Sequence, residues 1–181
     1  MNTINIRAKH EPLLLKLERY YSVCYDGKAI FEERYHHVLG VLELCCSCVK
    51  NDSGNKIDHD KLIVSAILHD IAKPRFDNFK RHNDPESVGK ALEDASIEIP
   101  DLGYIAEIIR CHRGKEFNPG KFPLEAAILR MCDKIDNVRR KESYKAAKKR
   151  EDSYKLICSF LEDEGLSVEL ELFKGIFKAL L

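Results

Sequence analysis

The stretch Leu62-Ile63-Val64-Ser65-Ala66-Ile67-Leu68-His69-Asp70 decides how the chain folds. It shows no alternation of the strand kind. Leu62, Ala66 and His69 fall on one helical stripe, and Ile63, Ile67 and Asp70 fall on its neighbour. Both stripes are apolar until their last residue, where an imidazole and a carboxylate appear. Adjacent residues on a helix diverge by roughly 100°, so His69 and Asp70 reach one pocket only if it straddles the edge of the core. Asp58 is a plausible N-cap for this helix, and Pro74 is expected to stop it, with the last helical residue near Ala72.

Helical patterning continues on both sides. Pro12 to about Tyr25 reads as a first helix and Gly27 to about Lys50 as a long second one, followed by the polar loop 51–55. Beyond Pro74, residues 75–84 read as irregular. Pro85 opens a helix ending near Ala95, and Asp101 caps one ending near His112. A loop with Gly114, Pro119 and Gly120 follows. Pro123 opens a helix that passes Asn137, and two more are split near Gly165. The expectation is an all-α, single-domain fold over residues 1–181.

Composition narrows the function. The chain has 181 residues, 30 basic and 30 acidic side chains, and 44% hydrophobic residues. That is globular composition with enough length for a core of its own. A net charge of zero argues against a surface coated for nucleic acid. No apolar run approaches the ~20 residues of a membrane span, and residues 1–11 hold no apolar signal core. The seven cysteines are odd in number and sit mostly inside apolar helical patterns, so reduced core thiols in a cytoplasmic protein are expected. Cys45, Cys46 and Cys48 lie too close on one helix for all three to face one ion.

The informative residues are polar side chains in phase with apolar stripes. On the second helix Ile30, Arg34, His37, Val41, Leu44 and Cys48 share a face, which turns His37 inward and His36 to solvent. Ile105, Ile108 and Ile109 lead to His112. Ala126 and Leu129 lead to Asp133, with Glu125, Arg130 and Lys134 expected on the outer side. Three histidines and two aspartates thus point at the interior. Each alone is more often a satisfied core residue or a helix cap, but buried charges are normally paired or coordinate metals. Mixed imidazole and carboxylate donors suit manganese, iron, nickel, cobalt or zinc.

Three segments carry a resemblance: Arg34-Tyr35-His36-His37, Ile67-Leu68-His69-Asp70-Ile71-Ala72-Lys73 and Ile128-Leu129-Arg130-Met131-Cys132-Asp133-Lys134-Ile135-Asp136. In this order they resemble the HD superfamily of metal-dependent phosphohydrolases over about residues 31–137. The helices from about 144 to 181 match nothing in that pattern. The resemblance implies His37, His69, Asp70 and Asp133 as metal ligands, for one ion or two. His112 fits the place of a further ligand, and His82 or Asp84 another. It implies hydrolysis of a phosphate ester or anhydride in a small phosphorylated substrate, with Asp70 accepting a proton. Lys73 and Arg34 are expected at phosphate oxygens, with Arg113 a weaker candidate. Phe76 and Phe79, among Arg75, Lys80, Arg81 and His82, suggest a lid that stacks on a base, hence a nucleotide.

Other readings stand beside this one. Residues 139–155 hold eight basic residues against three acids, so that helix suits a nuclease or a nucleic-acid binder. A catalytically inactive HD-like regulator is a third reading. The last helix, with Leu170, Phe173, Phe177 and Leu180 in phase, either closes the core or forms a homodimer face.

Overall fold

A computed structural model describes residues 3–50, 52, 56–75, 82–112, 117–141 and 143–177. Eight helices run through them: α1 (Thr3–Cys24), α2 (Lys28–Lys50), α3 (His59–Leu68), α4 (Pro85–Asp94), α5 (Leu102–Cys111), α6 (Pro123–Lys141), α7 (Tyr144–Asp163) and α8 (Ser167–Phe177). No strand occurs among the described residues, as the absence of alternation predicts. Among the described residues no helix is long and apolar enough to cross a membrane.

Helix α6 is the axis. It packs on α2, α3, α5, α7 and α8, while α1 covers α2 and α3. One cluster of buried apolar side chains runs from Leu14 in α1 to Phe177 in α8. Being surrounded, α6 has little outer side. Glu125 and Arg130, expected outside, are both buried. Glu125 Oε1 accepts from the Asp58 backbone N–H at 2.5 Å, and Arg130 reaches Ser153 Oγ and the Cys111 carbonyl at 3.4 Å.

The local signals hold where they rest on one residue. Asp58 caps α3 by accepting from Lys61 N at 3.1 Å; Ser143, which the sequence analysis does not single out, caps α7 by accepting from Ala146 N at 3.2 Å. Gly165, at φ +70°, ends α7. The Leu166 N–H returns to the Leu161 carbonyl at 2.8 Å in the usual glycine-closed pattern. Asp101 does not cap α5 with its side chain; it takes a left-handed φ of 56° there instead.

Two expectations about helix limits and one about a helix face fail. Helix α1 starts at Thr3 and carries Pro12 inside it. Tertiary contacts hold the earlier turns: Lys9 Nζ lies 2.6 Å from Asp60, and buried His10 lies 3.6 Å from it. Ile30, assigned to the inward face of α2, is 49% exposed, because α2 is buried only from His37 onward. Helix α3 ends at Leu68 rather than near Ala72. Tight turns replace its last turn, with Ile71 N bonded to Leu68 O and Lys73 N to Asp70 O, both at 3.0 Å. Pro74 disfavours the helical conformation in the residue before it.

The other expectations about the core are simpler to place. Leu170, Phe173 and Phe177 are buried within the chain's own core; Leu180 lies outside the described residues. All seven cysteines are free thiols, buried except for exposed Cys24 and half-buried Cys158.

Candidate metal centre

The early end of α3 assembles the site. His69 is the C-cap residue of that helix, and the turn that follows folds Asp70 back beside it. His69 Nε2 lies 3.4 Å from Asp70 Oδ2, although a continuing helix would splay the two apart. His37 arrives from the middle of α2, His112 from the end of α5 and Asp133 from the middle of α6. All five are buried.

Each imidazole is fixed through Nδ1. His69 Nδ1 donates to the Ala66 carbonyl at 2.8 Å, and His112 Nδ1 to the Ile109 carbonyl at 2.6 Å. His37 Nδ1 donates to Asp136 Oδ2 at 2.6 Å. A carbonyl can only accept, so these bonds set the tautomer and turn each Nε2 toward the common centre. There His37 Nε2 lies 3.3 Å from His69 Nε2, 3.1 Å from Asp133 Oδ1 and 3.7 Å from Asp70 Oδ2. His112 Nε2 and Asp70 Oδ1, 3.9 Å apart, have no hydrogen-bond partner among the described residues.

Two imidazole nitrogens 3.3 Å apart, with carboxylates beside them, are compatible with a cation held between them. His37, His69 and Asp70 each offer a ligand atom, all within 4.8 Å of one another. Hard and borderline donors of this mixture, oriented by acceptors behind each ring, fit a divalent transition metal. Without one, a proton serves. Burial opposes the charge on His37, but hydrogen bonds to Asp133 and Asp136 and the charges of Asp70 and Asp133 outweigh it, raising its pKa to about 9. Burial pushes His112 well below its ordinary value, so it stays a neutral donor.

Lysines balance the carboxylates. Lys73 Nζ pairs with Asp70 Oδ2 and Lys134 Nζ with Asp133 Oδ2. Burial would raise both aspartates, yet the neighbouring lysines, with help from the histidines, hold them well below the usual carboxylate range. Lys134, expected on the outer side of α6, is half-buried instead and folds onto Asp133 at the rim of the centre. Asn137 Nδ2 donates to Asp133 Oδ1 at 2.8 Å.

A model of the HD domain matches residues 34–138, more than half of the chain. The chain belongs to the HD-domain family. No curated protein and no solved structure matches it. The HD domain marks a superfamily of metal-dependent phosphohydrolases, and the His/Asp cluster is compatible with metal binding.

Within the HD domain the structure brings together His37, His69, Asp70, Asp133 and His112, with Lys73 at the edge. Arg34 is half-buried one turn before His37 and, among the described residues, forms no ion pair with Glu33 or Glu43. His82 is buried in the turn before α4. Asp84 is exposed at the start of α4 and takes no part in the cluster. Arg113 and the lid residues Phe76, Phe79, Lys80 and Arg81 lie outside the described residues; Arg75 pairs with Asp94. Sequence reasoning assigned no role to Asp136, which orients His37. The signal was available: Asp136 follows Asp133 by three residues, on the same helical face. Gly40 is its counterpart on α2, for a Cβ there would come within 2.8 Å of Asp136 Cγ and closer still to Oδ1.

Proposed function

We propose that this HD-domain protein hydrolyses a phosphate ester or anhydride in a small phosphorylated molecule, a nucleotide by preference, with a divalent transition metal held by His37, His69, Asp70 and Asp133. The observation that carries the reading is the convergence of three Nε2 atoms whose Nδ1 atoms are all committed to acceptors. When bound, such an ion acidifies water and polarises a phosphoryl oxygen. The chain's own residues do the rest. Asp136 and the Ala66 and Ile109 carbonyls hold the imidazoles in register. Lys73 and Lys134 lie on the rim, each 12–16% exposed, where they are placed to meet phosphate oxygens. Arg34 adds a further cation from α2. Asp70, held ionised at neutral pH, is the proton acceptor nearest Lys73. The nucleotide preference rests on Phe76 and Phe79 in the sequence alone.

The test is elemental analysis of purified wild type and Asp70→Ala, followed by a screen of nucleotides for phosphate release. One or two transition-metal ions per chain in the wild type, absent from the variant, with turnover in that metal, is the expected result. No ion in either protein after reconstitution with manganese, iron, nickel, cobalt and zinc would end the enzyme reading and leave an inactive HD-like regulator.

A second reading has one observation in its favour. Arg139, Lys141, Lys145, Lys148, Lys149 and Lys155 are exposed along the end of α6 and α7, as a helix that tracks the phosphates of a nucleic acid requires. Salt-sensitive binding of single-stranded DNA or RNA would support it, and no binding at low salt would remove it.

A further inference from the structure

Arg140 lies in the last turn of α6, one turn beyond Asp136. Its side chain is 27% exposed. An ion pair four residues apart on a helix is ordinarily a solvated one of small effect. Two features set this one apart. Its acid is buried and already engaged: Asp136 Oδ2 accepts from His37 Nδ1 at 2.6 Å and also lies 3.8 Å from Arg140 Nε. The other arm of the guanidinium leaves the helix, and Nη2 donates to the Glu33 carbonyl on α2 at 2.8 Å.

Glu33 stands four residues before His37 on α2, so its carbonyl is the one the His37 backbone N–H reaches in the α-helical ladder. Arg140 therefore touches both acceptors that hold His37, the carboxylate behind its ring and the carbonyl behind its amide. The contact joins the two helices that deliver His37 and Asp133. Asp136 also abuts α2 at Gly40, where a Cβ would come within 2.8 Å of its Cγ. The imidazole, Gly40 and the guanidinium together confine the carboxylate. A planar guanidinium has its donors in fixed directions, so it serves as a rigid bridge between two acceptors.

We infer that Arg140 is a positioning residue of the metal centre: it bridges Asp136 to the Glu33 carbonyl and so fixes the direction in which His37 presents Nε2 to the ion. The inference rests on the metal-binding part of the reading above and does not depend on the substrate. Charge and position predict opposite signs. A cation near the site repels an incoming metal, so deleting its charge alone would tighten metal binding. Deleting a group that orients a ligand weakens it.

The experiment titrates cobalt(II) into the full metal-free chain and follows the visible absorption of the bound ion, for wild type, Arg140→Gln and Arg140→Lys. Melting temperatures of the metal-free proteins are read beside it. Glutamine removes both the charge and the fork, whereas lysine keeps the charge as a single point. The expected result is cobalt binding about three- to tenfold weaker in Arg140→Gln, recovered in part or in full by Arg140→Lys, with melting temperatures unchanged. That loss is smaller than the roughly 10–100-fold typical of a group touching the ligand itself, because Arg140 acts one contact further out. Affinity in Arg140→Gln equal to or tighter than wild type would overturn the inference while leaving the metal centre intact. So would an Arg140→Lys protein no better than Arg140→Gln. A melting temperature lowered by several degrees would also overturn it, since the bridge would then serve only to hold α2 to α6. A wild type that binds no cobalt would sink the inference and the metal-centre reading together. Turnover is not read, so a failure of the phosphohydrolase reading shows separately, in the nucleotide screen.

Discussion

Replacing Asp136 by asparagine separates the two things that carboxylate does for His37. In the metal-free protein His37 bridges two acids, donating from Nδ1 to Asp136 at 2.6 Å and facing Asp133 through Nε2 at 3.1 Å. Those bonds overcome burial and raise its pKa to about 9. A metal needs the bare Nε2, so below that pH it must displace a proton. The apparent affinity then falls about tenfold for each pH unit, roughly a hundredfold by pH 7. Asparagine keeps an acceptor for Nδ1–H but removes the charge. The proton on His37 is held less tightly, which eases competition near neutrality. The ring is also a poorer and less firmly held donor, a loss of roughly 10–100-fold in intrinsic affinity for such a supporting carboxylate.

These effects oppose each other at low pH and not at high pH. The advantage of the wild type is therefore smallest near about pH 6.5 and grows toward about pH 9. Calorimetric titration with manganese, in two buffers of different ionisation enthalpy, reads both the affinity and the protons released. The wild type should release about one proton per ion near neutrality, and the variant clearly less. A ratio of affinities that stays constant across the range, or a wild type that releases no proton, refutes the reasoning.

Three further predictions use other parts of the molecule. Gly40→Ala drives a methyl group into Asp136; it should cut metal occupancy at limiting manganese, by elemental analysis, while the helical circular dichroism stays intact. In the metal-free protein, His37 gains its charge on folding, with a pKa of about 9 against an ordinary 6.5. Its contribution to stability is complete below about pH 6.5 and is lost as pH rises through about 9; the melting temperature should fall across that window, and a rise would contradict the assignment. Asp58→Ala removes the cap of α3 and should cost about 1 kcal/mol, a drop of about 2–4 °C in melting temperature for a chain of this size.

What the sequence shows and what it hides follow from range. The Asp58 cap and the Gly165 break depend on residues within one turn, and they are legible. Periodicity also finds His37, His69, His112 and Asp133, because each sits on an apolar stripe that the core must bury. Periodicity assumes a helix with one buried side, however, and α6 is covered by five neighbours. Glu125 and Arg130 are consequently misread, and so is Lys134. The end of α3 is hidden for another reason: the apolar pattern continues through Ile71 and Ala72, while the backbone has already left the helix after Leu68. Asp136 is visible as a helical neighbour of Asp133, but its partner His37 lies 99 residues away, and nothing local announces the pairing.

The charges of the centre explain why a phosphate should follow the metal. Asp70 pairs with Lys73, Asp133 with Lys134, and Asp136 with a protonated His37. Arg140 Nε, at the exposed end of α6, also lies 3.8 Å from Asp136; that exposed guanidinium aside, the three carboxylates and the three inner cations balance without metal. A divalent ion that displaces the His37 proton leaves one net positive charge among groups almost wholly removed from water, where unbalanced charge is costly. An anion relieves it. Phosphate affinity should therefore depend on metal: the loaded protein binds inorganic phosphate and the metal-free protein does not. Calorimetry with and without manganese decides this. Equal affinity in both states would refute the argument and move the phosphate to the exposed basic face of α7, where no metal is needed to hold it.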